Sequence, residues 1–309
     1  MNIYDLWFSS IKLSNKIKLY LLKNMISTEE IWNYAFYVKD NIIINEKVRY
    51  YMKKAWDKVQ LEALQKYLLN EGIQTAGFNE NIYPKNLKNI SDAPAVIFYR
   101  GNIKKVSESF SVGIVGSRNC SVYGENVTEM ISRELSKNNI NIISGMARGI
   151  DSFAHKVCIR QGGYTCAVLG CGIDVIYPKE NKKLYDIISE NGCVISEFLP
   201  GTQPLPKNFP IRNRIISGLS DLIVVVEAGE KSGSLITASL ALEQGKDIVA
   251  VPGTIFSKQS LGTNKLIRDG AYIFTDFKDL FQILNMDYIC TNYQKSRKMT
   301  GIEKKFMII

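Results

Sequence analysis

The stretch SVGIVGSRNCSVYG, residues 111–124, decides the fold. An apolar β-branched run, 112–115, gives way to small residues and a cation, and a helical pattern follows over 123–138. The same unit recurs downstream. Apolar runs at 140–143, 166–169, 194–195, 222–226 and 248–251 are each followed by helical periodicity, over 150–161, 181–191, 212–219, 234–243 and 264–269, with a last helix near 276–284. Strands without polar alternation are buried on both faces, so the repeat predicts an α/β fold with a doubly wound, mostly parallel sheet.

Upstream, residues 4–69 read as helical, because Leu6, Ile11, Leu13, Ile17, Leu21 and Leu22 recur at three- and four-residue steps. The run 73–78 and the strand 95–99 form an entry layer. The expected organisation is a small helical N-terminal domain at 1–62, the sheet domain at 63–286 and a basic tail at 287–309.

A formal charge of +9 favours a polyanionic partner, since neutralising phosphates releases counterions. No window approaches the roughly 18 apolar residues that span a bilayer. The six cysteines form no CxxC pair and His155 is the single histidine, which argues against a metal site and for reduced thiols. A soluble, unprocessed, cytoplasmic protein without membrane contact is expected.

In open parallel sheets ligands sit outside the carboxyl ends of the strands, where helix N-termini face anions. The first such loop offers Gly116 and Ser117 for a close phosphate and Arg118 as its clamp. Asp151 belongs to the first turn of the next helix, with His155 four residues on, and both read as structural. Tyr177-Pro178-Lys179 sets Lys179 near a helix start, where it adds to positive potential. The segment around Lys207, Phe209, Arg212, Asn213 and Arg214 is the densest cationic cluster near an aromatic. Phe209 either stacks a base or plugs the core. Arg212 and Arg214 cannot share one helical face, so at most one is solvated and at least one is expected to meet a ligand. Lys231-Ser232-Gly233 follows another strand but lacks the GxxxxGK[ST] order, and Gly113, Gly116 and Gly124 do not make GxGxxG. Nucleotide cofactors are therefore not expected.

Taken together, DAPAVIFYRG at 92–101, GSRNCSVYG at 116–124, SGMARGID at 144–151, VLGCGIDVIYPKEN at 168–181, FPIRNRIISGLSD at 209–221, SGSLITA at 232–238, VPG at 251–253 and GTNKLIRDGA at 262–271 resemble the DprA/Smf family of DNA-processing proteins. That resemblance implies an extended Rossmann-like fold and a non-catalytic, commonly homodimeric protein. It further implies binding of single-stranded DNA and loading of RecA recombinase on DNA entering during natural transformation. It also implies a basic pocket holding Arg118 and Lys179, joined by Lys207, Phe209, Arg212, Asn213 and Arg214. The sequence departs from the family in three places. Leu13-Ser14-Asn15-Lys16 lacks the glycine of a phosphate-binding hairpin. No winged-helix module follows the sheet domain. Pro206-Lys207 shifts the local cation by about one position.

The alternative is a nucleotide-binding or nucleotide-hydrolysing Rossmann-like protein. Such hydrolases carry a PGGxGTxxE loop, whose glutamate position is here Leu240, three residues after Thr237. The positioned carboxylate that ribose–base hydrolysis requires is missing.

Overall fold

The computed structural model describes residues 2–38 and 43–288. Five helices open the chain: α1 (Ile3–Ser10), α2 (Asn15–Asn24), α3 (Thr28–Tyr37), α4 (Glu46–Lys54) and α5 (Lys58–Asn70). Asn2, Ser14, Ser27, Asn45 and Asp57 each cap one of them by accepting a backbone N–H, a contribution of about 1 kcal/mol apiece. The 13–16 turn is thus a helix cap: Ser14 Oγ takes the Ile17 N–H that a phosphate-binding hairpin would offer. α5 runs across residue 62, and the helical region ends at Asn70, in agreement with the helical pattern read over 4–69. Leu6, Trp7, Phe8 and Leu21 of this region share one apolar core with Ile97 and Phe98 of the sheet. The helical region is packed on, not tethered to, the sheet.

Next come β1 (Gln74–Gly77), α6 (Lys85–Lys88) and β2 (Val96–Gly101), then the alternating unit. It comprises β3 (Ser111–Val115), α7 (Val122–Lys137), β4 (Asn141–Ser144), α8 (Ile150–Arg160), β5 (Thr165–Val168), α9 (Lys182–Asn191), β6 (Cys193–Ser196), α10 (Asn208–Leu219), β7 (Leu222–Val225), α11 (Gly233–Glu243), β8 (Asp247–Ala250), α12 (Leu261–Arg268), β9 (Tyr272–Ile273) and α13 (Phe277–Ile283). The nine strands lie in the order β1-β2-β6-β5-β4-β3-β7-β8-β9. All neighbours are parallel except β1 with β2 and β2 with β6. This is the expected doubly wound sheet with an antiparallel extension at one edge.

Both faces of β3 are covered, which is why its sequence shows no polar alternation. Val112 and Ile114 pack with Ile131 and Leu135 of α7, while Val115 joins the layer holding Ile215 and Ile216 of α10. From β3 the chain winds one way to β4, β5 and β6, and α10 returns it to β7 on the other side. The winding reverses between β3 and β7, and there the loops diverge and leave a crevice.

His155 lies in the interior, apart from that chemistry. Thr165 Oγ1 donates to the Ile142 carbonyl at 2.8 Å and sits 2.6 Å from His155 Nδ1, so Nδ1 carries the proton. Burial, reinforced by the Arg212 charge, pushes the imidazole down to about 3 from its ordinary 6.5. Below pH 6.5 the unfolded chain therefore takes a proton that the folded chain refuses until about pH 3, and stability falls as pH drops through that window. His155→Asn, which preserves the donor to Thr165, is expected to lose about 2 kcal/mol less than the parent between pH 7 and pH 5 in urea melts. Equal losses would show that His155 protonates as readily in the fold as outside it.

Four of the five described cysteines are interior thiols, as expected, while Cys120 is half-buried. Cys158, Cys166, Cys171 and Cys193 are buried, and burial pushes Cys158 and Cys171 up to about 11. Cys290 and the basic tail beyond residue 288 lie outside the described residues. Among the described residues no helix is long and apolar enough to cross a membrane.

Candidate nucleic-acid interface

The crevice at the switch point has a volume of about 860 Å³. Loops after β3, β4 and β7 form its walls, and the start of α10 forms one side. Close backbone approach is built in by glycine: a Cβ on Gly116 would meet Ile150 Cγ1 at 2.6 Å, and one on Gly145 would meet the Arg212 guanidinium at 2.4 Å. Glu227, at the end of β7, accepts from both Ser121 N and Ser121 Oγ. It thereby ties the β3 loop to the β7 loop and fixes the crevice width.

Phe209 is the centre of the site. Its half-buried ring lies on Gly170, where a Cβ would approach to 2.7 Å, and against Tyr177, with ring centroids 5.5 Å apart. The Arg118 guanidinium sits over the ring at 5.6 Å and that of Arg212 at 6.0 Å. Phe209 is thus half-buried: it packs on Gly170 and Tyr177 and also lines the crevice.

Arg212 is 4% exposed. Its Nη1 donates to the Gly145 carbonyl at 2.8 Å and to that of Val168, and its Nε donates to Asn213 Oδ1 at 3.2 Å. Burial pushes its pKa down to about 10, against the pull of Asp151, so it remains cationic at neutral pH. Asp151 accepts from Gly145 N at 3.2 Å, and its carboxyl is raised by burial. Asn213 donates to the Gly233 carbonyl at 3.3 Å and so anchors the first residue of α11 to α10.

Both arginines of the pair are buried, in keeping with the expectation that at most one is solvated. Arg214 is 3% exposed and its Nη1 and Nη2 grip Glu197 at 2.8 and 2.6 Å, while its Nε meets Asp92 at 2.9 Å. With both carboxylates taking the fork, Arg214 is a brace and does not line the crevice. The reason is local: α10 begins at Asn208, so both side chains project from its first turns into packed surroundings.

Of the remaining expected ligands, Gly116, Ser117, Arg118, Asn213 and Lys231 line the crevice. Lys179 and Lys207 do not. Both are exposed, Lys179 two residues after Tyr177 and Lys207 at the cap of α10, two residues before Phe209. Lys258 and Gln259 also line the crevice and were not anticipated, since their loop before α12 carries no recognisable pattern. Tyr177 was read only as part of a turn. Its place beside Phe209 follows from the sheet order and not from sequence proximity.

Among the described residues the lining holds four cations, Arg118, Arg212, Lys231 and Lys258, against one carboxylate, Asp151. A low-dielectric crevice with that imbalance concentrates anions. Asp151, the single carboxylate of the lining, is buried and accepts from the Gly145 N–H.

Comparison with known proteins agrees with this architecture. The family model for DNA recombination-mediator protein A matches residues 74–285. DNA processing protein DprA of Streptococcus pneumoniae is 45% identical over 201 residues, covering 65% of this chain and 71% of that protein. The X-ray structure of the S. pneumoniae protein superposes with a TM-score of 0.80 at 35% identity, over 94% of this chain and 99% of that one. A structure of DNA processing protein A from Helicobacter pylori, concerned with its single-stranded-DNA binding mode, matches with a TM-score of 0.64 at 31% identity over 70% of this chain and 97% of that chain. With these motifs on this sheet, the chain belongs to the DNA recombination-mediator protein A family.

Proposed function

We propose that this protein binds single-stranded DNA in the switch-point crevice, with Phe209 stacking an unpaired base and Arg118, Lys231 and Lys258 holding the flanking phosphates. The observation that carries the reading is Phe209 itself: an aromatic face held beneath two guanidinium groups, at a crevice whose charged lining is mostly cationic. A π-face is usable only by a base outside a duplex, and such stacking tolerates any sequence. The DNA-processing relatives and the single-strand subject of the H. pylori structure support the same partner.

On this reading the protein is a binding module and not an enzyme. It acts as a homodimer that hands coated strands to RecA recombinase during natural transformation, in the cytoplasm. Support for these finer steps is the family relationship alone.

Fluorescence anisotropy of labelled oligo-dT across a salt series, with duplex DNA and a mononucleotide as competitors, tests the reading. Salt-sensitive capture that neither competitor displaces is expected. Efficient displacement by the mononucleotide would favour the nucleotide-binding alternative. Within the same series, Arg118→Ala and Lys179→Ala are expected to weaken binding roughly additively, each reducing the salt slope by about one phosphate contact. An unchanged slope in Lys179→Ala would remove that residue, which stands outside the crevice lining, from the interface.

A further inference from the structure

We infer that Phe256, on the loop between β8 and α12, is a second base-stacking platform that receives a nucleotide leaving the crevice; the inference rests on the single-strand reading above. Phe256 is 90% exposed and its neighbour Ile255 is 75% exposed, on a loop that otherwise offers small and polar residues. An isolated exposed aromatic is unremarkable on a floppy loop. This loop is held at both ends to the walls of the crevice.

The bracing is specific. Asn264 closes the start of the loop, accepting from Gly253 N at 3.1 Å and donating to the Gly253 carbonyl at 2.9 Å. Tyr123 Oη donates to the Pro252 carbonyl at 2.8 Å, and Gln259 Nε2 donates to the Asn119 carbonyl, so two bonds reach the chain just after β3. The Ala228 N–H donates to the Gln259 carbonyl at 2.7 Å, and the Gly262 N–H donates to the Ala228 carbonyl at 2.7 Å, fixing the far end to the loop after β7. Between these anchors the chain turns, with Ser257 N donating to the Thr254 carbonyl at 3.0 Å. Phe256 is therefore mounted on the same frame that sets the crevice width.

Charge identifies the occupant. Lys258, two residues on, lines the crevice, so one intervening residue, Ser257, separates Phe256 from the crevice wall. A rigid aromatic beside a cation at the mouth of a basic channel is the combination that sequence-tolerant single-strand binding uses. Loss of one stacked base corresponds to about a fivefold or greater loss of affinity.

The test titrates long and short oligo-dT with the full chain, its Phe256→Ala, Phe256→Trp and Lys258→Ala variants, across salt. Phe256→Ala is expected to weaken long oligo-dT about fivefold or more at an unchanged salt slope, and to have a smaller effect on an oligomer too short to leave the crevice. Phe256→Trp is expected to retain affinity, and Lys258→Ala to reduce the slope by about one. Parent-like binding of both lengths by Phe256→Ala overturns the inference while leaving the crevice reading intact. So does altered self-association of Phe256→Ala in sedimentation at unchanged DNA affinity, which would assign the ring to a second copy of the chain. Failure of the parent to capture oligo-dT at all would overturn the crevice reading, and this inference with it.

Discussion

Arg214→Met is expected to lower the unfolding free energy by about 3–5 kcal/mol, because it strands a buried carboxylate. The Glu197 side chain is 10% exposed and receives two of the guanidinium's bonds, while Asp92, at 41%, receives the third. Removing the cation leaves Glu197 with an Asn15 Nδ2 contact at 3.3 Å and the more distant charge of Lys18 as compensation. Lys18 is a weak substitute. Its ammonium is itself buried, donates to the Ser9 carbonyl at 2.9 Å, and is pushed down to about 8 by desolvation. Arg214→Lys recovers little, since a point charge cannot fork between two carboxylates. Pairing Arg214→Met with Glu197→Gln should restore part of the loss, because the stranded charge is then gone. Urea unfolding of the three variants checks this; a cost below about 1 kcal/mol for Arg214→Met would mean that water reaches the site and screens the pair.

Phe209→Ala is expected to have the largest single effect on DNA capture, roughly 5- to 100-fold in affinity, with folding retained. Two losses combine. The stacking face disappears, and the Arg118 guanidinium, held 5.6 Å above the ring, loses the surface that orients it. Cation–π support of this kind is worth about 0.5–1 kcal/mol at exposed positions. Phe209→Tyr and Phe209→Trp keep the face and should retain most of the binding, whereas Phe209→Leu keeps bulk without π-density and should not. Anisotropy titrations at fixed salt distinguish the series. Equal affinities for the leucine and tyrosine variants would reduce Phe209 to a core plug.

The sheet was legible because each strand is buried on both faces and therefore writes a short uninterrupted apolar run, as at Val112 to Val115 or Leu222 to Val226. Strand ends agreed within about two residues, the usual resolution of such boundaries. Helix α10 was less legible. Pro210 reads as a breaker, yet it occupies the first turn, where its missing N–H is not needed by the helix. The helix consequently starts at Asn208, four residues before the reading had it, and that shift changes where Phe209, Arg212 and Arg214 point. β9 was missed because Tyr272–Ile273 is only two residues long, too short for any pattern.

Charge type alone did not separate a cation that lines the crevice from a brace. Arg118 and Arg214 look alike in sequence, but Arg214 finds Glu197 and Asp92, the latter brought to it by the fold from the entry layer before β2. Lys258 and Phe256 carried no local signal at all. Their relevance comes from hydrogen bonds to Asn119 and Ala228, contacts that exist only once β3, β7 and β8 lie side by side.

The proposed path of the DNA strand runs through the crevice between β3 and β7. Photo-crosslinking of oligo-dT carrying a photoreactive thymine analogue, followed by mass spectrometry of the digested complex, tests it most directly. Crosslinks on peptides bearing Tyr177, Phe209 or the 229–234 loop, lost when unlabelled oligo-dT competes, are predicted. Competable crosslinks confined to the N-terminal helices, with none on those peptides, would contradict the account.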